Sequence, residues 1–93
     1  MQRVIVTRHP ALVEYLAEIG LVVEKTPVLA HVRVEDVRGK HVIGVLPLHL
    51  AAEAARVTEI PVRLTPADRG KELDISRLRE IADAPRTFVV RKI

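Results

Sequence analysis

One arrangement constrains this chain more than any other: a run of β-branched residues leads through a short link into a proline and then an amphipathic stretch, and it does so twice. Val4-Ile5-Val6 is followed by Pro10, and Val42-Ile43-Gly44-Val45-Leu46 is followed at once by Pro47. A continuous apolar run reads as a strand covered on both faces. Proline has its φ already set for a helix and no N–H to leave unbonded in the first turn. Each unit is therefore a strand feeding a helix.

The first helix places Leu12, Val13, Leu16 and Ile19 on one face and Glu14 and Glu18 on the other, with Gly20 able to close it in the left-handed conformation. The second is predicted to run from Pro47 through His49 to Ala55, with an alanine-rich surface that can lie close to a sheet. Leu21-Val22-Val23 and Val28 to Val32 are strand candidates, as one bent element or as two separated by Thr26-Pro27, and further strands are predicted at Pro61-Val62-Arg63-Leu64 near an edge and at Thr87 to Val90. Glu35 to Lys40 and Thr65 to Leu73 read as loops, and Ile75, Leu78, Ile81 and Ala82 mark a last helix that Asp74 can cap. Strands alternating with helices imply right-handed crossovers and a mostly parallel sheet. The expected class is α/β, a small Rossmann-like three-layer fold filling residues 1–93 as a single domain.

Composition narrows what such a fold could do. Hydrophobic residues make up 48% of the chain, yet Tyr15 and Phe88 are its only aromatics, so the core must be aliphatic, with at least one of the two rings expected inside. Two rings cannot form the stacking platform that grips single-stranded RNA, which argues against a long nucleic-acid partner. A net charge of +3 leans toward an anionic ligand. The absence of cysteine removes disulfides and thiolate metal sites. No stretch has the pattern of a signal peptide or the length of a membrane span, so a cytoplasmic setting is expected. A 93-residue domain buries a modest share of its surface, and a homodimer is the natural remedy.

Thr7-Arg8-His9 lies between the first strand and its helix, where unpaired backbone N–H groups and the helix dipole favour an anion. Ala11 and Leu12 are the candidate amide donors there, since Pro10 has none to offer. Leu46-Pro47-Leu48-His49 occupies the same junction after the second buried strand, so both segments should emerge on one sheet edge. If the strands are neighbours, His9 and His49 meet. Read functionally, Arg8 clamps a phosphate while His9 or His49 moves a proton, histidine being the side chain whose ordinary range spans neutrality. A solvated turn before an exposed helix would use the same residues. His31 and His41 read as strand-end or surface residues. His49 and Glu53 are one helical turn apart without a third ligand, so no metal site and no cofactor are expected. Ser76 has no nucleophile elbow, and no phosphate-binding glycine loop occurs. In Arg69-Gly70-Lys71-Glu72-Leu73 the residue types suit a solvated turn, though Arg69 and Lys71 could fold over a phosphate.

Taken together, Val6-Thr7-Arg8-His9-Pro10, Val42 to Glu53 and Arg69 to Leu73 resemble, in order and spacing, the small CRISPR-associated Csx proteins of the sixteenth type, over roughly residues 3 to 73. The resemblance implies a Rossmann-like homodimer related to CRISPR sensor domains. It also implies a ring nuclease that binds and cleaves cyclic tetra-adenylate, the second messenger of type III defence. It points to Thr7, Arg8, His9, Pro47, His49 and Arg69. The chain departs from the family pattern with Ala11 for a usual glycine, Tyr15 for tryptophan and Val45 for threonine. The expected chemistry needs no metal: a ribose 2′-hydroxyl attacks the neighbouring phosphorus while Arg8 and backbone amides hold the developing charge and His9 or His49 serves as base or acid. A non-catalytic sensor or sponge for the same ring, and a structural CRISPR-associated subunit, are the alternatives.

Overall fold

The computed structural model describes residues 1–22 and 25–93. Both apolar runs form central strands, the second only as far as Gly44, beyond which Val45 is exposed: β1 spans Arg3–Val6 and β3 spans His41–Gly44, with β2 at Val28–Leu29, β4 at Arg56–Glu59 and β5 at Arg86–Phe88. The five strands form one sheet in the order β2-β1-β3-β4-β5, parallel except for β5, which runs antiparallel to β4. Helices α1 (Pro10–Glu18), α2 (Val34–Val37), α3 (Leu48–Ala51) and α4 (Ile75–Ile81) fill the connections.

Side chains alternate across the sheet, and that alternation sorts the helices into two layers. On one face Val4, Val6, Val42 and Val57 pack with Leu50, Ala51 and Ala54 from α3 and the turn after it, and with Val37 of α2. On the other, Ile5 and Ile43 pack with Leu16 of α1 and with Val22. Helix α4 lies against α1, and the fork of Arg79 on Glu18 ties the two, with Nε donating to Oε2 at 2.9 Å. The result is the small three-layer Rossmann-like α/β fold that the alternation of strands and helices requires. Gly20 has φ +75° just past α1, in the left-handed region that only glycine adopts without strain.

Several elements differ from expectation, each for a tertiary reason. The alanine-rich helix ends at Ala51, because the Ala55 N–H donates to the Lys40 carbonyl at 2.9 Å and draws the chain into the sheet as β4. The strand expected at Pro61 to Leu64 is therefore displaced to Arg56–Glu59, and Val62 keeps only an isolated bridge to Ala82. Thr58 in β4 is 1% exposed, and its hydroxyl is satisfied by His41 Nε2 at 2.6 Å and Thr87 Oγ1 at 2.8 Å. Part of the supposed loop at Glu35 to Lys40 is α2, anchored by fully buried Val37. Leu21 and Val22 form a bend rather than a strand, and Val23 lies outside the described residues. β2 is confined to Val28–Leu29, and β5 begins one residue before Thr87. Neither aromatic is core: Phe88 is 47% exposed on the edge strand and Tyr15 is half-buried.

A candidate anion cleft at the switch point

β1 and β3 are hydrogen-bonded neighbours in register, with Val6 opposite Gly44. The chain leaves β1 for a helix on one face and leaves β3 for a helix on the other. Adjacent strands that feed opposite faces open a crevice at their carboxyl ends, the place where ligands bind in doubly wound sheets. Gly44 shapes this crevice: at φ +141°, a Cβ there would collide with the Val6 carbonyl oxygen. Only glycine lets the two strand ends approach so closely.

The crevice is a cleft of about 620 Å³, a size suited to a small-molecule site. Its polar lining residues are Thr7, Arg8 and His9 after β1 and His31 after β2. Leu12, Leu46, Leu50, Ile60 and Val62 are among the aliphatic side chains of its walls. Arg8 is the one charged residue on the lining, and no carboxylate borders it among the described residues. The Thr7 N–H donates to the Leu29 carbonyl at 3.0 Å, which fixes the turn to β2, and the Thr7 hydroxyl oxygen accepts from the His9 N–H at 3.1 Å. Arg8 Nη2 lies 3.3 Å from His31 Nδ1.

The structure gathers some of the sequence-derived residues and leaves others apart. Thr7, Arg8, His9, Leu12 and Pro47 line the cleft together. Leu12 does so by its side chain, because its N–H already donates to the His9 carbonyl at 3.0 Å; of the two expected amide donors only Ala11 is left. Ala11 borders a neighbouring recess whose rim carries Glu14, Glu72 and Asp74. His49 is exposed on α3, at the same sheet edge but off the lining. Glu53, expected one helical turn from it, lies in the turn beyond α3 and pairs with Arg38 at 3.6 Å. Arg69 and Lys71 are exposed in the turn after the 3-10 turn Pro66–Asp68, and of that motif Leu73 alone reaches the cleft. Among the described residues no group of three His, Asp or Glu side chains gathers as a metal would require.

His31 is the lining residue that sequence reasoning passed over. The signal was available in outline: a second strand parallel to β1 also ends at this edge, so the residues just beyond it belong to the crevice. The brevity of β2 hid it. His41, by contrast, sits at the opposite, amino-terminal edge, where burial first and then the cations Arg3 and Arg56 on flanking strands hold its imidazole below the usual histidine range.

Fold and cleft together define a doubly wound α/β domain with a crevice at its switch point whose lining, among the described residues, carries Arg8 and no carboxylate. Comparison with protein families supplies the relationship: residues 4–91 match the family described as "Putative CRISPR-associated protein (Cas_VVA1548)". The chain belongs to that CRISPR-associated family. The same comparison with curated proteins and with solved structures found no match. Among the described residues no helix is long and apolar enough to cross a membrane.

Proposed function

We propose that this CRISPR-associated protein is a ring nuclease that binds cyclic tetra-adenylate and opens it by attack of a ribose 2′-hydroxyl on the adjacent phosphorus, ending type III antiviral signalling. The observation that carries the reading is the lining of the cleft: Arg8, His9 and His31 set among aliphatic walls, with no carboxylate among the described residues to repel a phosphodiester. A nucleotide has the matching polarity, an anionic backbone joined to a flat, largely apolar base. Arg8 is suited to charge-assisted hydrogen bonds to non-bridging oxygens, which gather charge as the phosphorane forms. Imidazoles beside it can exchange the protons of the entering 2′-oxygen and the leaving 5′-oxygen. One cleft holds part of a four-nucleotide ring, so two copies facing across a two-fold axis are the natural receptor. Val45, Leu48 and Leu64, 73%, 76% and 59% exposed, offer apolar surface beside the strand ends for such pairing.

Purified protein incubated with cyclic tetra-adenylate in EDTA is expected to yield linear products ending in a 2′,3′-cyclic phosphate. Arg8→Ala is expected to weaken ring binding as well as turnover, and His9→Ala to slow turnover by about a hundredfold. A ring left intact at high enzyme concentration, with Tm raised by the ligand, would instead favour a sensor that holds the ring without cutting it. Val45 speaks for that second reading, since it puts an alkyl group on the lining where the resembled family has a hydroxyl. No shift in Tm would leave only a structural subunit.

A further inference from the structure

We propose that His31 is the general base of the ring-opening step, an inference that rests on the ring-nuclease reading. Arg8 and His31 come from different strands, after β1 and β2, yet Nη2 and Nδ1 stand 3.3 Å apart on the cleft lining. A guanidinium cannot accept a hydrogen bond, so Nδ1 is the acceptor; its lone pair points at the cation and the ring proton is on Nε2. Arg8 is the only side-chain partner of this imidazole among the described residues. The guanidinium thus holds an unprotonated nitrogen in place at the spot where a phosphate would be bound. When a phosphodiester enters, the Arg8 N–H turns to a non-bridging oxygen and Nδ1 is released as a proton acceptor. It takes the proton of the neighbouring ribose 2′-hydroxyl as the O2′–P bond forms. The P–O5′ bond breaks, and the 5′-oxygen takes a proton from the His9 imidazolium. The products are a 2′,3′-cyclic phosphate and a 5′-hydroxyl, and exchange with water restores both exposed imidazoles. His49, off the lining, has no part in this step.

The test compares His31→Ala and His31→Gln with the wild-type chain, following cleavage of cyclic tetra-adenylate and the ring-induced rise in Tm. Both variants are expected to turn over about a hundredfold more slowly or worse, to keep the rise in Tm, and, for His31→Ala, to recover activity with added imidazole. Glutamine can still accept from Arg8 but cannot take a proton, so a His31→Gln variant that cleaves at the wild-type rate would reduce His31 to a prop for Arg8 and overturn the proposal. Loss of ring binding in step with rate, without rescue by imidazole, would overturn it equally. Wild-type protein that leaves the ring intact would instead sink the nuclease reading itself, an outcome visible before any variant is made.

Discussion

The helix starts of this protein fall into two kinds. At the switch point, α1 begins at Pro10 and α3 follows directly on Pro47; neither has a side-chain cap or an acidic residue in its first turn. Away from the cleft, carboxylates sit at every other start. Asp74 Oδ1 accepts from the Arg77 N–H at 2.8 Å at the head of α4, Asp36 Oδ2 accepts from the Arg33 N–H at 2.8 Å before α2, and Asp68 accepts from both the N–H and the hydroxyl of Thr65. The positive end of a helix attracts an anion whether it comes from the chain or from outside. Where the chain supplies the carboxylate, the start is quenched and serves stability. The starts of α1 and α3 carry no carboxylate in their own first turns, although Glu14, Glu72 and Asp74 rim the recess beside Ala11, and the proposed function gives the cleft side of these starts to a phosphate.

The contrast can be broken at several points. The largest expected effect is at Gly44, which brings the ends of β1 and β3 together: Gly44→Ala places a Cβ against the Val6 carbonyl in a positive-φ conformation, and urea denaturation is expected to register a loss of about 3 kcal/mol. Unchanged stability would mean that the close approach is dispensable. Next, Asp74→Ala removes a cap and is expected to cost about 1 kcal/mol in thermal unfolding while leaving affinity for the ring intact; an affinity that fell with it would erase the division between stabilising and receptive starts. Leu48→Glu does the reverse, adding a carboxylate to the first turn of α3 at a position 76% exposed. A gain of about 0.3 kcal/mol is expected there, together with weaker ring binding in titration calorimetry, and tighter binding would contradict the role given to these starts.

The smallest effect is a matter of pH. Asp68 is forked by Arg77, whose Nε and Nη2 donate at 2.8 and 2.9 Å, and this guanidinium with the Thr65 N–H holds the carboxyl well below the usual carboxylate range. Arg79 likewise lowers Glu18. Groups whose folded pKa is depressed leave the unfolded chain binding more protons, so their stabilisation is full above the ordinary carboxylate range and drains away as pH falls below about 4. Asp68→Asn is expected to flatten that acid limb in denaturation midpoints measured across pH 2 to 6, and an unaltered slope would deny the pairing any role in stability.

Much of the scaffold was legible because its signals are local. Two β-branched runs, two prolines, the Leu12–Leu16 face, Gly20 and the Asp74 cap each act over a few residues, and they appear as read except that the second strand stops at Gly44, leaving Val45 exposed, and Pro47 caps its helix rather than opening it. The errors gather between Ala51 and Leu64, where helix propensity favours continuing the alanine run, but long-range backbone bonds, from Gly39 to Glu53 and from Ala55 to Lys40, lead the chain into a strand instead. Thr58 is the same lesson in the core: a polar residue is tolerated in a buried strand because His41 and Thr87 meet it from either side.

The candidate site divides along the same line. The sequence by itself determined that Thr7-Arg8-His9 would stand at a strand end ahead of a helix, since proline position and apolar runs dictate this through backbone geometry alone. Only the tertiary structure decided that β2 would flank β1, bringing His31 to Arg8 and leaving His49 off the lining. Strand order is chosen by which faces can be buried together across the whole chain, and that is a property of packing rather than of any segment.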